Sequence, residues 1–548
     1  MPSSLQWIYA PPVRRSDWAV ALLRAALLAL AAWLIWRTAW VSDDAAITLR
    51  TVLNLLTGHG ARFNIDERVQ AYTHPLWFGL LTLGTAMAGN ALLAAAWLGI
   101  ALSVAALIWL LRLAVNPWQG LLAVGALLAS TAFMQFSTSG LENPLSHVLI
   151  LAAATALIRI HGLSADAPNR ARWLRGFFLC AGLLYLSRPD LVVLLAPCAL
   201  QLLATRDIAP RIRVRALFWA ATPVLVWTIF SLLYYGFPFP NTAYAKLGTG
   251  IAQRELWRQG LHYFGNTLTH DPLTLVVSAL ALPLAPFVRR WGWGWALGVA
   301  LYLVYVASIG GDFMAGRFFS VPMLAGALML ARAQWPWSDA ARWLACGLLA
   351  LAIPALAWHN IRYTLHTAAK GRPPSICCMC YPYGIADEQS CYFGYAALAT
   401  VSAPDLALFR PDSYRTRTSD QALNLTCGGL GFMSIRSGPG THILDTCALA
   451  EPLLARLPVP YMGSWCDEQP QCDTGIYRRI GHFDRAVPAG YEESIKQDAN
   501  LLTDPALHGC YERIRSITRA PLLEGRRLRE VVRANLTGAR CLKPNAPY

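Results

Sequence analysis

The sequence predicts an α-helical polytopic membrane protein with about eleven transmembrane helices, followed by a soluble α/β domain rich in disulfides. Apolar side chains make up 55% of the 548 residues and charged ones only 14%, which excludes an ordinary soluble enzyme. Apolar runs near the roughly 20 residues that cross a bilayer core recur between positions 18 and 361. We therefore divide the chain into a membrane half, 1–361, and a tail, 362–548, which has the composition of a soluble domain.

Arginine clusters indicate which loops of the membrane half face the cytoplasm, where Lys and Arg are enriched. Arg14 and Arg15 precede the first apolar run, 18–36, and no small-residue cleavage site follows them. We expect this run to be a membrane helix with a cytoplasmic amino terminus rather than a removable signal. Later clusters predict further cytoplasmic loops at 159–175, 206–215, 289–290 and 332–342.

Ten further apolar runs complete the eleven predicted spans. They cover 90–111, 120–136, 145–160, 176–187, 190–205, 216–235, 272–288, 292–309, 318–331 and 343–361. One more apolar stretch, 75–89, would move the basic loop at 159–175 to the outer side if it crossed the membrane. We therefore expect 75–89 to lie at the outer interface or to be partly re-entrant, within a first outer loop at 41–90. The tail is then extracytoplasmic.

Cysteine usage supports an extracytoplasmic tail. Cys180, Cys198 and Cys346 lie in apolar runs, where a buried thiol acts as a small hydrophobe. Ten more follow residue 370, and this even number predicts up to five disulfides and an oxidising compartment. These ten are Cys377, Cys378, Cys380, Cys391, Cys427, Cys447, Cys466, Cys472, Cys510 and Cys541. The alternative is a zinc site at 377–380, although structural zinc usually needs two separated ligand pairs.

Short apolar segments separated by Gly, Pro and Asp predict that the tail is a mixed α/β domain. Strands are expected at 431–435 and 442–444. Helices are expected at 448–456 and 494–502.

Two adjacent acids, Asp43 and Asp44, follow the first apolar run. An acidic group at mid-bilayer costs about 2.5–3.5 kcal/mol even on lenient scales, so a pair at the end of a span is a candidate acid/base site. The alternative is a solvated helix end, at which an Asp caps the next helix.

A series of sequence blocks then suggests a family. The blocks lie at 43–47, 58–60 with 63–64, 67–69 with 72–77, 139–142, 187–190, 240–246 and 310–317, and in the tail at 444–446 and 479–483. In this order they resemble the mycobacterial-type terminal arabinofuranosyltransferases, and the pilin arabinosyltransferases of Gram-negative bacteria are similar. The wider class is the GT-C fold of glycosyltransferases that use polyprenyl-phosphate sugars. The cysteine-dense tail departs from those relatives.

The resemblance implies a GT-C membrane enzyme that transfers a pentose, D-arabinofuranose, from polyprenyl phosphate to an extracytoplasmic glycan or to a protein such as a pilin. Such a transfer needs a base for the acceptor hydroxyl and cations for the departing phosphate. Asp43 matches the catalytic Asp of GT-C enzymes, and Asp44 would orient the acceptor or tune the pKa of its neighbour. The reverse assignment, with Asp44 as the base, stays open.

Charged and polar residues elsewhere on the outer side are expected to bind the donor. Arg offers a planar fork for phosphate oxygens, and Lys offers a compact charge. The candidates are Arg68, His74, Arg188, Lys246 and Arg317 for the phosphate, with Asp312 and Glu142 beside the substrate. In the alternative interpretation these cations reach lipid head groups or pair with Asp190, Asp312 and Glu67.

The predicted chemistry requires no cofactor, because fixed cations can hold a monophosphate leaving group. A divalent cation would nevertheless find oxygen and nitrogen ligands in Asp43, Asp44, Glu67, His74 and Asp312. The sequence contains no Rossmann fingerprint or Walker A motif, which disfavours a nucleotide-sugar or ATP-driven mechanism.

The main alternative function is a transporter or flippase of lipid-linked sugars. A transporter would place ionisable groups near mid-bilayer and show internal repeats, whereas this sequence has no repeat and its acids gather on one side. A structural protein with a disulfide-rich ectodomain would leave the charged first loop unexplained. The net charge of +15 reflects cytoplasmic arginines and does not indicate nucleic-acid binding.

Overall fold

The structure of the protein, a computed structural model, consists mainly of α-helices. It describes residues 17–164, 167–334, 339–371, 382–418, 422–459, 478–538 and 540–542. The described helices of the membrane half are α1 (Asp17–Arg37), α2 (Asp43–Leu56), α3 (Pro75–Ala88), α4 (Ala91–Leu113), α5 (Pro117–Ala129), α6 (Thr131–Gln135), α7 (Asn143–Gly162), α8 (Arg170–Ser187), α9 (Val192–Ala204), α10 (Pro210–Tyr234), α11 (Asn241–Lys246), α12 (Gln253–His270), α13 (Pro272–Ala279), α14 (Ala281–Leu284), α15 (Gly292–Ser308), α16 (Ser320–Arg332), α17 (Asp339–Leu356) and α18 (Trp358–Lys370). Short 3-10 turns cover Pro189–Leu191, Ala285–Phe287 and Arg317–Phe319. Each of the predicted spans is mainly helical, but 120–136, 272–288 and 343–361 are each divided between two or more helices.

Several of these helices have the length and composition of membrane spans. Within the described residues, Trp18–Arg37, α4, α7 and α10 are long and apolar enough to cross a bilayer. Helix α12 and the segment Pro272–Phe287 pass the same test only as a pair, and the pair is bent by 109°. Shorter apolar helices cover Pro75–Ala88, Pro117–Ala129, Pro189–Ala204, Gly292–Ser308 and Cys346–Leu356. The protein is therefore a multi-pass membrane protein, while the count of eleven crossings and their orientation stay predictions.

The segment 272–288, predicted as one span, is broken in the structure. Pro283 lies in α14 and Pro286 in the following 3-10 turn. Proline lacks the N–H donor and its ring clashes with the preceding turn, so two prolines three residues apart favour a break here, although α9, α10 and α17 each continue through a single proline. Helix α12 precedes this segment and was not predicted, because its many polar residues do not form an apolar run.

Helix α16 lies at the centre of the membrane half. Every residue from Ser320 to Ala331 is buried, and α16 packs against α4, α5, α7 and α13. Gly326 permits the close approach of α13, since a Cβ at this position would lie 2.0 Å from the Val277 carbonyl oxygen. Because α16 is fixed on all sides, the loop that enters it is held at a defined position.

The tail is helical with two small sheets. Its described elements are α19 (Glu388–Ala396), α20 (Ala403–Ala407), α21 (Pro411–Arg415), α22 (Leu430–Ser437), α23 (Tyr491–Lys496), α24 (Pro505–Arg519), α25 (Gly525–Thr537), β1 (Leu423–Thr426), β2 (His442–Asp445), β3 (Arg478–Arg479) and β4 (His482–Phe483), with 3-10 turns at Pro382–Gly384 and Leu454–Arg456. Strands β1 and β2 are parallel, with Leu423 opposite His442, and β3 and β4 are antiparallel. The boundary predicted between 361 and 362 lies within α18.

Only part of the predicted tail structure is confirmed. The strand at 442–444 is β2, but the strand predicted at 431–435 is wrong because these residues belong to α22. The helix predicted at 448–456 shrinks to the 3-10 turn, and α23 covers only the start of 494–502. For α22 the physical reason lies outside the segment: a side chain from α2, described below, accepts hydrogen bonds from its first N–H groups.

The tail packs directly on the first loop of the membrane half. The Arg50 guanidinium is fully buried and donates to the carbonyl oxygens of Phe63 (2.7 Å), Gly438 (3.2 Å) and Thr441 (2.9 Å). Asn64 bonds both the N–H and the carbonyl of Ile443, at 3.0 and 3.1 Å. The first loop and the tail therefore form one packed unit.

Two disulfides lie within the described residues, Cys427–Cys447 and Cys510–Cys541. Cys391 is disulfide-bonded as well. The cysteines of the membrane half, Cys180, Cys198 and Cys346, are free as expected. Cys377, Cys378, Cys380, Cys466 and Cys472 lie outside the described residues, so the full disulfide framework and the zinc alternative at 377–380 stay predictions.

Gly431 is the closest contact between α22 and α2, which generates a first prediction. A Cβ there would lie 2.0 Å from the Asp43 carbonyl oxygen, so Gly431→Ala forces α22 away from α2. We expect a loss of about 1–3 kcal/mol of stability, measured as a lower thermal unfolding midpoint in detergent. Gly440→Ala is the matched control, because its Cβ would meet no atom within 4 Å. Equal midpoints for the two variants would contradict this packing.

Candidate active site

Arg317 joins carboxylates from three separate segments. Its Nη1 lies 3.8 Å from Asp44 Oδ2 and 3.5 Å from Asp312 Oδ2, and its Nη2 lies 3.4 Å from Glu142 Oε1. Asp44 belongs to the first turn of α2, Glu142 directly precedes α7, and Asp312 lies in the loop before α16. That loop turns at Gly311, where φ is +72° and a Cβ would lie 2.4 Å from Tyr263.

A second arginine, Arg188, stands beside the first. Its Nη2 lies 2.8 Å from Asp190 Oδ2, and its Nε lies 3.6 Å from Glu142 Oε1. The Tyr302 hydroxyl donates to Asp190 Oδ2 at 2.7 Å and so fixes that carboxylate. Both arginines thus contact Glu142. They also form the ion pairs with Asp190 and Asp312 that the alternative interpretation expects, so the ion pairs and the clustering occur together.

Both arginines retain a buried N–H group without a hydrogen-bond partner. Arg188 Nη1 and Arg317 Nε are the atoms concerned, and the side chains are only 5% and 12% exposed. Buried polar groups in folded proteins are normally paired, so these unpaired guanidinium donors are candidates to bind an acceptor such as a phosphate oxygen.

Glu142 is the most enclosed carboxylate of the cluster, with a side chain 1% exposed. His74 Nδ1 lies 3.2 Å from Glu142 Oε2, and the other ring nitrogen of His74 lies 2.9 Å from the Thr48 hydroxyl. Burial opposes ionisation of Glu142, but Arg317, His74 and Arg188 outweigh it and hold the pKa of Glu142 below its ordinary value.

Asp44 is ionised in this environment. Burial alone would raise its pKa, but His482, whose Nε2 lies 3.6 Å from Asp44 Oδ1, together with Lys246 and Arg317, lowers it. Lys246 ends α11 and packs against the tail, where a Cβ at Gly481 would lie 3.3 Å from Lys246 Nζ.

The pKa of Asp312 is shifted in the opposite direction from the pKa of Asp44, although both carboxylates contact Arg317. Burial raises the pKa of Asp312 and outweighs the opposing charges of Arg317 and Lys246. The two carboxylates therefore differ in their readiness to accept a proton.

Asp43 points away from this cluster. Its two carboxylate oxygens accept the N–H groups of Gly431 (3.0 Å) and Phe432 (2.9 Å) at the start of α22. Consecutive residues of a helix point about 100° apart, so Asp43 and Asp44 cannot share one neighbourhood. Asp43 therefore caps a helix, as the alternative interpretation expects, but that helix is α22 of the tail and not the next helix of the chain.

Arg68 is also outside the cluster, contrary to its prediction as a phosphate ligand. Its Nη2 donates to the carbonyl oxygens of Ile517 (3.3 Å) and Ala520, and its backbone N–H donates to the Thr518 carbonyl at 2.9 Å. The carbonyl groups at the end of α24 need donors, and Arg68 supplies them. Glu67, considered as a metal ligand, lies in the same region of the tail interface, 3.6 Å from Arg519.

The structure thus brings together most of the predicted site. The residues that converge are Asp44, His74, Glu142, Arg188, Lys246, Asp312 and Arg317. His482 was not predicted as a site residue, although it lies in the tail block 479–483 that contributed to the resemblance. Asp190 was considered only as an ion-pair partner, and no signal in the sequence pointed to Tyr302.

Comparisons with known proteins give two relatives with the same name, and no family model matches the chain. The chain is 32% identical over 346 residues to a terminal β-(1→2)-arabinofuranosyltransferase of Corynebacterium glutamicum, covering 56% of this chain and 49% of that protein. It is 33% identical over 271 residues to the terminal β-(1→2)-arabinofuranosyltransferase of Mycobacterium tuberculosis, covering 46% and 41%. The chain spans about half the length of the curated relatives it matches. The resemblance found in the sequence blocks is confirmed.

One solved structure is similar in outline. The crystal structure of ArnT from Cupriavidus metallidurans in the apo state matches 80% of this chain and 87% of its own, with a TM-score of 0.48 and 14% sequence identity.

The shared role of Glu142 generates a second prediction. Glu142→Gln leaves Arg188 and Arg317 without their common counter-charge, and we expect a loss of about 3–5 kcal/mol of stability, measured by thermal unfolding in detergent. Because the folded pKa is lowered, this stabilisation is complete above about pH 5 and is lost as the pH falls through the folded pKa.

The matched control for this prediction is Glu512→Gln, which removes a carboxylate from ion pairs at the protein surface. Its effect should stay within about 1 kcal/mol. Similar unfolding midpoints for the two variants would show that Glu142 does not hold the cluster together.

Proposed function

We propose that the protein is a membrane glycosyltransferase that transfers a pentose, D-arabinofuranose, from polyprenyl phosphate to an extracytoplasmic glycan or protein acceptor. The observation that carries the proposal is the convergence of an ionised Asp44 with Arg188, Arg317 and Lys246 in one cluster. The two relatives named as arabinofuranosyltransferases support the choice of sugar. In this proposal the chain has the GT-C fold, with eleven crossings of the inner membrane.

Asp44 is the base of the proposed reaction. One of its oxygens accepts the proton of the acceptor hydroxyl while the acceptor oxygen bonds to the anomeric carbon and the bond from that carbon to the phosphate oxygen breaks. Asp44 is ionised at neutral pH, as an ordinary Asp is, and can accept this proton, while the neighbouring cations that lower its pKa also reduce its strength as a base. Asp43 is unsuited to the same task, because both of its oxygens hold the start of α22.

The departing polyprenyl phosphate carries away negative charge that must be stabilised. Arg188 Nη1 and Arg317 Nε are the buried unpaired donors for its oxygens, and Lys246 adds a positive charge beside Asp44. Fixed donors in a water-poor site need no rearrangement as this charge develops, so they lower the barrier. The chemistry therefore needs no metal in the cluster.

The orientation belongs to the same proposal. A cytoplasmic amino terminus and an extracytoplasmic tail put the first loop, the candidate site and the disulfides on one side of the membrane. The disulfides Cys427–Cys447 and Cys510–Cys541 support an oxidising environment on that side.

The two adjacent aspartates provide a test of the base. We expect Asp44→Asn to lower transfer from synthetic polyprenyl-phospho-arabinofuranose by about 10²–10⁴-fold per folded molecule, and to lower the thermal unfolding midpoint because Arg317 loses a counter-charge. Asp43→Asn should also lower that midpoint, because its new amide faces backbone donors, but should affect turnover of the folded protein far less. Full activity of folded Asp44→Asn would remove Asp44 from the mechanism.

Two arginines of the predicted set provide a test of phosphate binding. In wild type, polyprenyl phosphate should raise the unfolding midpoint and neutral polyprenol should not. Arg188→Gln should abolish this difference, because it removes an unpaired donor. Arg68→Gln should lower the midpoint of the free protein but keep the difference, since Arg68 binds tail carbonyls. A difference that survives in Arg188→Gln would place the phosphate elsewhere.

A further inference from the structure

A second polar cluster lies between the first loop and the tail, and no hydrogen bond or ion pair found among the described residues connects it to the Arg317 cluster. It consists of Glu67 from the first loop, His442 at the start of β2, and Glu451 after the turn that follows β2. The three residues are 3%, 8% and 0% exposed. One potential ligand atom from each lies within 4.8 Å of the others.

Each glutamate has one oxygen held by a neighbour and one oxygen without a hydrogen-bond partner. The Tyr491 hydroxyl donates to Glu451 Oε1, and Arg519 Nη2 lies 3.6 Å from Glu67 Oε2. The remaining atoms, Glu67 Oε1 and Glu451 Oε2, are buried and unpaired. A buried carboxylate oxygen without a partner is costly, so these two atoms indicate a ligand that the polypeptide does not supply.

The His442 ring is oriented toward the same point. Its Nδ1 lies 3.0 and 3.1 Å from the two oxygens of Asp66, and when these accept the Nδ1–H, Nε2 carries the lone pair. Nε2 lies 3.7 Å from Glu451 Oε2, which has no hydrogen-bond partner. It also lies 3.3 Å from Asn64 Nδ2, whose other N–H bonds the Ile443 carbonyl at 3.1 Å, so a metal ion at Nε2 would replace the contact with Asn64. A carboxylate behind a histidine is the usual arrangement around a metal-bound imidazole.

With Glu67 ionised and His442 neutral, the charges of this cluster do not balance without a further cation. Asp66, Glu67 and Glu451 carry three negative charges, and the guanidinium of Arg519 contacts the first two of these residues. With His442 neutral, the sum is two negative charges, and Arg519 is shared further with the exposed Asp498. A divalent cation would neutralise the cluster.

We propose that Glu67, His442 and Glu451 bind one divalent transition-metal ion, Zn²⁺ or Mn²⁺, which fastens the tail to the first loop. One imidazole nitrogen and two carboxylate oxygens are a ligand set for these ions, whereas Ca²⁺ and Mg²⁺ prefer oxygen alone. Ligands of a tetrahedral ion at bonds of about 2.0–2.1 Å lie roughly 3.3 Å apart, close to the 3.7 Å between Nε2 and Glu451 Oε2. Asp66 is a positioning residue for His442.

Protonation of Glu67 and His442 is the alternative to a metal ion for balancing the charge of the cluster. Burial and the neighbouring Glu451 carboxylate raise the pKa of Glu67 to about 8. At His442 burial lowers the pKa, but Asp66 and Glu451 outweigh burial and raise the pKa to about 10. A protonated Glu67 and a cationic His442 would neutralise the cluster without metal. Metal binding would have to displace both protons, and the uptake measurement below distinguishes the two arrangements.

The test uses the full-length protein in detergent, stripped with a chelator and then dialysed against Zn²⁺, Mn²⁺ or Ca²⁺. We expect one Zn²⁺ or Mn²⁺ per chain by elemental analysis and a higher thermal unfolding midpoint in the loaded protein. His442→Gln and Glu451→Gln should lose the ion, and Asp66→Asn should bind it about 10–100-fold more weakly. The exposed acid Glu492, changed to Gln, is the matched control and should bind as wild type does.

Magnetic resonance of the Mn²⁺-loaded wild-type protein keeps the test independent of whether the variants fold. A nitrogen coupling from one imidazole is expected. No uptake of either metal would overturn the proposal and leave a proton-sharing cluster. Uptake of Ca²⁺ alone, or uptake that persists in His442→Gln and Glu451→Gln, would overturn it as well.

Discussion

The guanidinium of Arg317 holds together the end of the helical bundle that contacts the tail. It contacts Asp44 on α2, Glu142 before α7 and Asp312 before α16, so three distant stretches of chain converge on one cation. A buried charge persists only where opposite charges and hydrogen bonds surround it. The carboxylates need Arg317 as much as it needs them, and any shift of one segment leaves a charge uncompensated in the others.

Helix α2 transmits this constraint to the tail. Its first residue, Asp43, holds α22, its second, Asp44, faces the Arg317 cluster, and its eighth, Arg50, is buried against tail carbonyls. The angle between consecutive helical side chains gives the two acids separate tasks. The tail also supplies His482 to the wall of the site. The candidate base is thus positioned by a domain that follows it by hundreds of residues.

The sequence was informative wherever a residue's chemistry is rare in its surroundings. Charged side chains near span ends are costly, and this cost points to the pair Asp43 and Asp44. Glu142, Arg188 and Arg317 are expected at the site from their places in the loops and in the sequence blocks. The cost could not separate Asp43 from Asp44, because helix phase and the partner of each carboxylate are tertiary facts. Arg68 lies outside the cluster for a related reason: a cation in a loop can serve a phosphate or the carbonyls at a helix end, and sequence does not distinguish them.

The secondary structure has the same limit: local patterns can be predicted from the sequence, whereas tertiary contacts cannot. Apolar runs predicted helical segments throughout the membrane half, but α12 was missed because its polar residues interrupt any continuous apolar run. In the tail, local composition favours a strand at 431–435, whereas the hydrogen bonds that Gly431 and Phe432 donate to Asp43 favour a helix there. Tertiary contacts of this kind override propensities worth less than about 1 kcal/mol per residue.

The burial of Arg50 has a consequence for the order in which the protein matures. Its partner Gly438 is 388 residues further along the chain, and at about 5–20 residues per second a ribosome needs roughly 20–80 s to reach it. During that interval the first loop has its charged side chains but not the surface that covers them. The site is therefore assembled late in biogenesis, and a nascent chain that stops short of the tail would carry every residue of the first loop without a formed active site.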